Sequence, residues 1–250
     1  MKERNKMGKE IEKKWVMPKS KIDRKVLAQK AHEVIALEQG YLDPKKAELT
    51  IGYKSIYCAG QKIQVSDEVI RNVADYIIVD TVIHNFAGYI AADGLNDMEI
   101  RYRNYGNEKF VLTIKGKGDL MRFEEEFEIS AEQAMAFKKQ AVGFVKKERF
   151  KINDGTHVLE VDIYDEQMGF DFASVEVEFE SIEEANAYQL PEYFGAEAKD
   201  VTEIKAFKNK NLAVAGRSAN EAFKTLFAVR KIASHKDVQV QNINKNEKGE

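Results

Sequence analysis

Along much of this chain apolar and charged residues alternate one for one, the period of a strand whose two faces meet different surroundings. Glu99-Ile100-Arg101-Tyr102-Arg103, Leu159-Glu160-Val161-Asp162-Ile163 and Ala173-Ser174-Val175-Glu176-Val177-Glu178-Phe179 each pair an apolar face with a polar or charged one. The pattern predicts strands over 10–16, 34–42, 98–104, 110–115, 120–129, 145–152, 157–164 and 173–179, with Tyr105-Gly106-Asn107 as a hairpin turn. A helix is predicted over 21–30. Three more have starts with capping-box spacing: Ser130 with Gln133, Ser181 with Glu184, and Ser218 with Glu221, the last running to about Ala233.

Residues 43–97 read differently. They hold alternating segments (Leu49 to Tyr57, Tyr76 to His84) and an apolar run from Ile83 to Ala92, without the charge alternation seen elsewhere. The expected organisation is one domain made of 9–42 and 98–233, interrupted by an inserted subdomain at 43–97, with disordered ends at 1–8 and 234–250. No internal repeat is evident.

The charged faces carry the chemistry. Glu10, Glu12 and Lys14 share a strand face, as do Arg101 and Arg103, and Arg122, Glu124, Glu126 and Glu128. So do Lys147 and Arg149, Glu160 and Asp162, and Glu176 and Glu178. An antiparallel sheet with one solvated face accounts for any one of these strands. It accounts less well for several strands that carry charges of one sign, or for Glu176 and Glu178 inside a strand that otherwise reads as core. Like charges two residues apart need a counter-charge or a cation. A sheet closed into a barrel with its polar face inward supplies both. Carboxylates hold hard cations through oxygen and bases hold a polyanion, so a phosphate chain with Mg²⁺ or Mn²⁺ satisfies both halves.

Composition narrows the picture a little further. The 250 residues carry 39 basic and 42 acidic side chains, a net charge of −3 that gives no reason to invoke nucleic acid. One cysteine, Cys58, excludes an intramolecular disulfide and fits a reducing compartment. No apolar run approaches the ~18 residues needed to span a bilayer, and none follows the polar N-terminus as in a secretory signal. A cytoplasmic protein without a membrane partner is expected. Gly116-Lys117-Gly118 lacks the pattern of a phosphate-binding P-loop and reads as a turn.

Glu10-x-Glu12-x-Lys14 matches the ExExK signature of the CYTH proteins, the triphosphate tunnel metalloenzymes, and the chain resembles that family well beyond it. The likeness continues through Gln39-Gly40-Tyr41-Leu42, Glu99-Ile100-Arg101-Tyr102-Arg103, Leu112-Thr113-Ile114-Lys115 and Arg122-x-Glu124-x-Glu126-x-Glu128. It then takes in Lys147-Glu148-Arg149-Phe150, Leu159-Glu160-Val161-Asp162, Val175-Glu176-Val177-Glu178-Phe179, Phe194-Gly195 and Val201-Thr202-Glu203. The resemblance implies an α+β fold, an eight-stranded antiparallel β-barrel with flanking helices, and metal-dependent hydrolysis of a triphosphate.

By position it implies a catalytic set of Glu10, Glu12, Lys14, Glu176 and Glu178. The metal ligands would be Glu10, Glu12, Glu176 and Glu178 with the acidic pair Glu160 and Asp162, supported by Glu124 and Glu126, around two Mg²⁺ or Mn²⁺ ions. Lys14, Arg101, Arg103, Lys115, Arg122, Lys147 and Arg149 would grip phosphate oxygens. Where the family often has Asp-x-Arg-Tyr-x-Asn, this chain has Ile204-Lys205-Ala206-Phe207-Lys208-Asn209, so Ala206 replaces an Arg and Lys205 or Lys208 would have to substitute. The 43–97 insertion is a second departure, able to cap a tunnel mouth or to mediate a homodimer. Gln39-Gly40-Tyr41-Leu42 resembles the bacterial inorganic triphosphatase branch. A class IV-type adenylyl cyclase, a thiamine triphosphatase and a non-catalytic polyphosphate-binding module stand as alternatives.

Overall fold

The computed structural model describes residues 9–52, 54–78, 83–86, 89–92, 98–116, 121–194 and 197–246. For 9–10, 74–78, 83–86, 89–92, 121–123 and 229–246 the description is of the backbone alone. The chain opens with β1 (Lys9–Pro18), α1 (Arg24–Lys30) and β2 (Glu33–Leu42). A second group follows: α2 (Pro44–Ala47), β3 (Thr50–Gly52), β4 (Ser55–Cys58), β5 (Gln61–Gln64), α3 (Asp67–Ile78), β6 (Ile83–Phe86) and β7 (Tyr89–Ala92). The first group resumes with β8 (Glu99–Tyr105), β9 (Lys109–Lys115), β10 (Met121–Glu128), α4 (Ala131–Gln140), β11 (Gly143–Asn153) and β12 (Val158–Tyr164). It ends with β13 (Phe172–Phe179), α5 (Ile182–Ala187), β14 (Lys199–Asp200) and α6 (Asn209–Asn246).

Hydrogen-bonded pairing runs β1–β10–β9–β8–β2–β11–β12–β13 and returns to β1, so eight strands form a ring. Every pair in it is antiparallel. This is the eight-stranded barrel expected from the sequence, with the short β14 added beside β1. The seam between β1 and β10 pairs Lys9 with Phe123, Glu10 with Arg122 and Ile11 with Met121.

The two faces of the ring explain the alternation. Outward residues pack under helices: Ile11, Trp15, Val161, Ile163, Val175 and Val177 form one buried cluster with Leu27 of α1 and Ala185 of α5. Ile100, Tyr102, Leu112 and Ile114 form another with Phe137 of α4. Gly40 is required there, because a Cβ would lie 2.1 Å from Tyr102 Cε1, whose ring covers that backbone. The second group makes its own sheet, ordered β5-β4-β3-β7-β6. Its Ile51, Ile56, Ile63 and Val73 join the same cluster as the outer faces of β8 and β9, so it is buttressed by the barrel wall.

Inward apolar residues collect at one end. Val16, Val145, Tyr164 and Phe172 meet Phe207 and, from α6, Leu212, Ala219 and Phe223 in a buried cluster that covers this end. Gly143 permits the approach, since a Cβ there would sit 2.4 Å from the Ala213 carbonyl oxygen of α6.

Local differences from expectation have physical causes. α1 starts at Arg24 rather than near 21 because the Asp23 carboxylate accepts from the Lys25 and Val26 amides, and Lys19–Lys21 form a 3-10 turn instead. Ser130 and Gln133 make the full reciprocal capping box. At Ser181 the side chain caps Glu184, but Glu184 bonds back to the Glu180 amide. The third expected start is displaced: α6 begins at Asn209 and is interrupted at Ala215 (φ −138, ψ 44), where a second helical segment starts, and Ser218 Oγ in its first turn donates to the Ala215 carbonyl at 2.8 Å. Tyr76 lies within α3 rather than in an extended segment, and α6 continues past Ala233 to Asn246. Lys117, Gly118 and Gly195 lie outside the described residues.

Candidate active site

Antiparallel register puts directly opposed residues on the same face, and the inward positions are where the charges fall. Lys14 opposes Glu176 and Glu12 opposes Glu178 across β1 and β13. Glu160 opposes Glu176 across β12 and β13, and Arg149 opposes Asp162 across β11 and β12. Lys14, Arg101, Lys115, Lys147, Arg149, Asp162 and Glu176 are all buried. The solvated-face reading of these strands therefore fails: the charged face is the barrel interior.

On the β1–β13–β12–β11 wall, Glu176 is the hub. Its Oε1 lies 2.8 Å from Lys14 Nζ and its Oε2 accepts from Arg149 Nη2 at 2.8 Å. Arg149 also donates through Nε to Asp162 Oδ1 at 2.7 Å, and pairs with Glu160. Asp162 in turn holds Lys147, both side chains being fully buried. Burial pushes Glu176 toward its neutral form, but Lys14, Lys147 and Arg149 outweigh it and hold the carboxyl well below the usual range. Burial likewise pulls Lys14 down, and Glu176 reverses this to leave its ammonium above the usual lysine range. Lys147 ends below that range, because burial and Arg149 together exceed the pull of Asp162.

On the β8–β9–β10 wall, one carboxylate gathers three cations. Glu124 Oε1 lies 3.4 Å from Arg101 Nη2 and 3.3 Å from Arg103 Nη2, while Oε2 lies 2.5 Å from Lys115 Nζ. Glu126 adds a 2.8 Å contact to Arg103 and accepts from Thr113 Oγ1. Three converging cations on a single carboxylate form a ready anion site, with Glu124 in the position of the anion.

Away from the end covered by α6, the interior opens into a cleft of about 180 Å³ whose lining includes Glu12, Glu160, Glu176 and Glu178, with His157 and Glu184 farther out. Its donor set is carboxylate oxygen, the chemistry of Mg²⁺ and Mn²⁺. Among the described residues no group of three or more His, Cys, Asp or Glu is drawn together as a metal cage. Glu10 and Arg122 occupy opposed backbone positions at the seam, and their side chains lie outside the described residues. Lys205 is solvent-exposed in the 3-10 turn Lys205–Phe207, so it is not gathered with the other cations.

Sequence reasoning overlooked Asn209, the first residue of α6. Its Oδ1 accepts from Lys14 Nζ at 3.2 Å and its Nδ2 donates to Glu176 Oε1 at 3.0 Å, clamping the ion pair from the end of the barrel that α6 covers. The signal was present, because Asn209 stands at the Asn of the Asp-x-Arg-Tyr-x-Asn pattern whose Arg is Ala206. Thr202 Oγ1 accepts from the Lys14 amide at 3.1 Å, and Tyr164 hydroxyl pairs with Ser174 Oγ at 2.8 Å. Burial pushes the Tyr164 phenol up to about 12, so it stays protonated as a donor at neutral pH.

Comparison with known proteins gives an independent view. No family model matches the chain. An inorganic triphosphatase from Nitrosomonas europaea is 36% identical over 130 residues, covering 51% of this chain and 82% of the relative. Among solved structures, the inorganic triphosphatase NE1496 is 22% identical, with 82% of this chain and 97% of that chain covered and a TM-score of 0.42. HpAC1 from Hippeastrum, described with a dominant triphosphatase activity, is 16% identical, with 71% and 82% covered and a TM-score of 0.39. No described helix is long and apolar enough to cross a membrane.

Proposed function

The chain belongs to the CYTH proteins, the triphosphate tunnel metalloenzymes, and from that membership we propose that it hydrolyses inorganic triphosphate to pyrophosphate and phosphate inside the barrel. The observation that carries this reading is the convergence of Arg101, Arg103 and Lys115 on one half-buried carboxylate, Glu124, facing a second interior wall of Lys14, Lys147 and Arg149. A linear polyanion entering through the acidic cleft would exchange with Glu124 for these cations.

The residues divide the work. Arg101 and Arg103 offer planar donors suited to bidentate contact with phosphate oxygens, and Lys115 adds a point charge. Lys14 and Arg149 are held on station by Glu176, and Lys147 and Arg149 by Asp162, so the cations are preorganised rather than recruited during the reaction. Positioning and charge neutralisation of this kind supply most of the catalysis in phosphoryl transfer. Glu12, Glu160 and Glu178, with Glu10 on the same strand face as Glu12, are the residues we assign to Mg²⁺ or Mn²⁺. A divalent ion held by these carboxylates would supply charge neutralisation on the phosphate chain and a more acidic water. Asp162, Glu124 and Glu126, whose carboxylates are committed to cations, are assigned to orienting those cations, and Glu160 and Glu176, which line the cleft and also hold Arg149, to both tasks. The single buried Cys58 fits a cytoplasmic enzyme.

The test is release of orthophosphate and of cyclic AMP from tripolyphosphate, ATP and thiamine triphosphate, each with Mg²⁺ or Mn²⁺. Phosphate release with preference for tripolyphosphate supports the proposal. Cyclic AMP from ATP would reassign the chain to a cyclase, and no turnover of any substrate would leave an anion-binding barrel.

A further inference from the structure

Several polar atoms inside the barrel are shut off from solvent without a close hydrogen bond among the described residues, Gln39 Oε1, the Tyr41 hydroxyl and Arg103 Nε among them, with the Tyr41 phenol set opposite the Arg101 guanidinium. These three are neighbours. Gln39 opposes Arg103 directly in the β2–β8 register, and Tyr41 is the next residue inward on the same face of β2. Buried polar groups in folded proteins are nearly always paired, and an orphan costs stability unless a ligand satisfies it. Gln39 is only 2% exposed, so bulk water does not serve it.

The position along the barrel limits what that ligand is. On its other side Gln39 opposes Val145, which is buried in the apolar cluster with Leu212 and Phe223 of α6. Tyr41 opposes Gly143, whose backbone abuts the Ala213 carbonyl of α6. This end is filled, whereas the acidic cleft lies at Glu12, Glu160 and Glu178. A group bound at Gln39 is therefore the inner end of whatever enters, with no room for an organic substituent beyond it.

We propose that Gln39, with Tyr41 and Arg103 Nε, forms an end-group subsite that recognises an unesterified terminal phosphoryl group. Arg103 Nε and the Tyr41 hydroxyl donate to its oxygens, and the Gln39 carboxamide contributes an N–H donor or accepts from a P–OH. The subsite makes Gln39 a specificity-determining residue: it strengthens binding of chains with a free terminal phosphate and adds nothing for anions without an end. This inference rests on the triphosphate reading of the tunnel.

The experiment is calorimetric titration of the full chain, under chelator so that turnover does not intervene, with tripolyphosphate and with trimetaphosphate. The cyclic anion has three phosphates but no terminal phosphoryl group. Gln39→Leu is expected to weaken tripolyphosphate about tenfold, the scale of one hydrogen bond to a charged group, and to leave trimetaphosphate within about twofold. Because the substitution removes an orphan acceptor, the unliganded Tm is expected to hold or rise. Gln39→Glu, the same size, gives a second reading should the Leu variant misfold: it puts a carboxylate beside the phosphoryl group, and a larger loss for tripolyphosphate is expected. Unchanged tripolyphosphate affinity in both variants, or equal losses for both anions, would overturn the subsite while leaving the tunnel reading intact. Failure of the wild type to bind tripolyphosphate would overturn both.

Discussion

Lys14 and Glu176 oppose each other across β1 and β13, and their charged atoms lie 2.8 Å apart inside the barrel, with Asn209 bonded to both. A buried pair of this kind is weak evidence for stability as a whole, but breaking it from one side is costly because the partner charge stays buried. Glu176→Gln strands Lys14 and Arg149, and a loss of about 3–5 kcal/mol is expected in urea unfolding. Tripolyphosphate should recover part of that loss by supplying the missing negative charge, read as a larger ligand-induced rise in Tm than in the wild type. An equal rise in both proteins would argue that these cations do not meet the anion.

The same pair sets an acid dependence. Glu176 is the depressed-acid case: its folded value lies below its unfolded one, so its stabilisation is complete above about pH 4.3, the ordinary glutamate value, and is lost as pH falls through the folded value. The stability gap between wild type and Glu176→Gln should therefore be constant from pH 5 to 7, on the scale set by that ordinary value, and shrink in stronger acid. Urea midpoints for both proteins over this range check it, and a gap that widens in acid would contradict the assignment.

Asn209 offers a test of positioning without charge. Asn209→Ala removes one acceptor from Lys14 and one donor from Glu176, and about 1–3 kcal/mol of stability is expected to go with them. Its effect should be strongly non-additive with Glu176→Gln, since both act on one network. Full additivity in the double-mutant cycle would show that the clamp is not coupled to the ion pair.

Much of this was legible in the chain. Alternation located the barrel strands, and the paired charges Arg101/Arg103, Lys147/Arg149 and Glu176/Glu178 marked the interior face, because a two-residue period carries both pieces of information at once. What escaped has a common cause. Asn209, Thr202 and Tyr164 reach the site from turns, helix starts and strand ends, where no period exists to reveal facing. Ser218 marked a helix start about three residues late, because the helical segment resumes at the Ala215 break and the Ser218 hydroxyl bonds back to that carbonyl rather than capping an amide. Gly40 was visible as a letter in a motif, but its reason, the Tyr102 ring lying across its Cα, needed the β2–β8 register.

That glycine gives a prediction about the wall itself. Gly40→Ala drives a methyl into Tyr102, and overpacking of this kind costs about 1–3 kcal/mol. Tyr102→Leu should relieve the clash in the double variant, although it gives up the hydrogen bond from the Tyr102 hydroxyl to Glu38 Oε1 at 3.0 Å. Thermal unfolding of the two single variants and the double variant checks this; a double variant that shows no rescue would place the strain elsewhere.

Carboxylates at the open mouth carry the metal assignment, and their removal is the sharpest measurement available. Orthophosphate release from tripolyphosphate is to be followed against Mg²⁺ and Mn²⁺ concentration in wild type, Glu12→Gln and Glu178→Gln. The expected result is metal-dependent turnover in the wild type, abolished by chelator, with each variant slower by about 100-fold or more, in keeping with the several kcal/mol a bound ion contributes to charge stabilisation. Both variants should keep native-like unfolding curves, because Glu12 is half-buried and Glu178 exposed. Wild-type rates in both variants, or metal-independent turnover, would contradict the account.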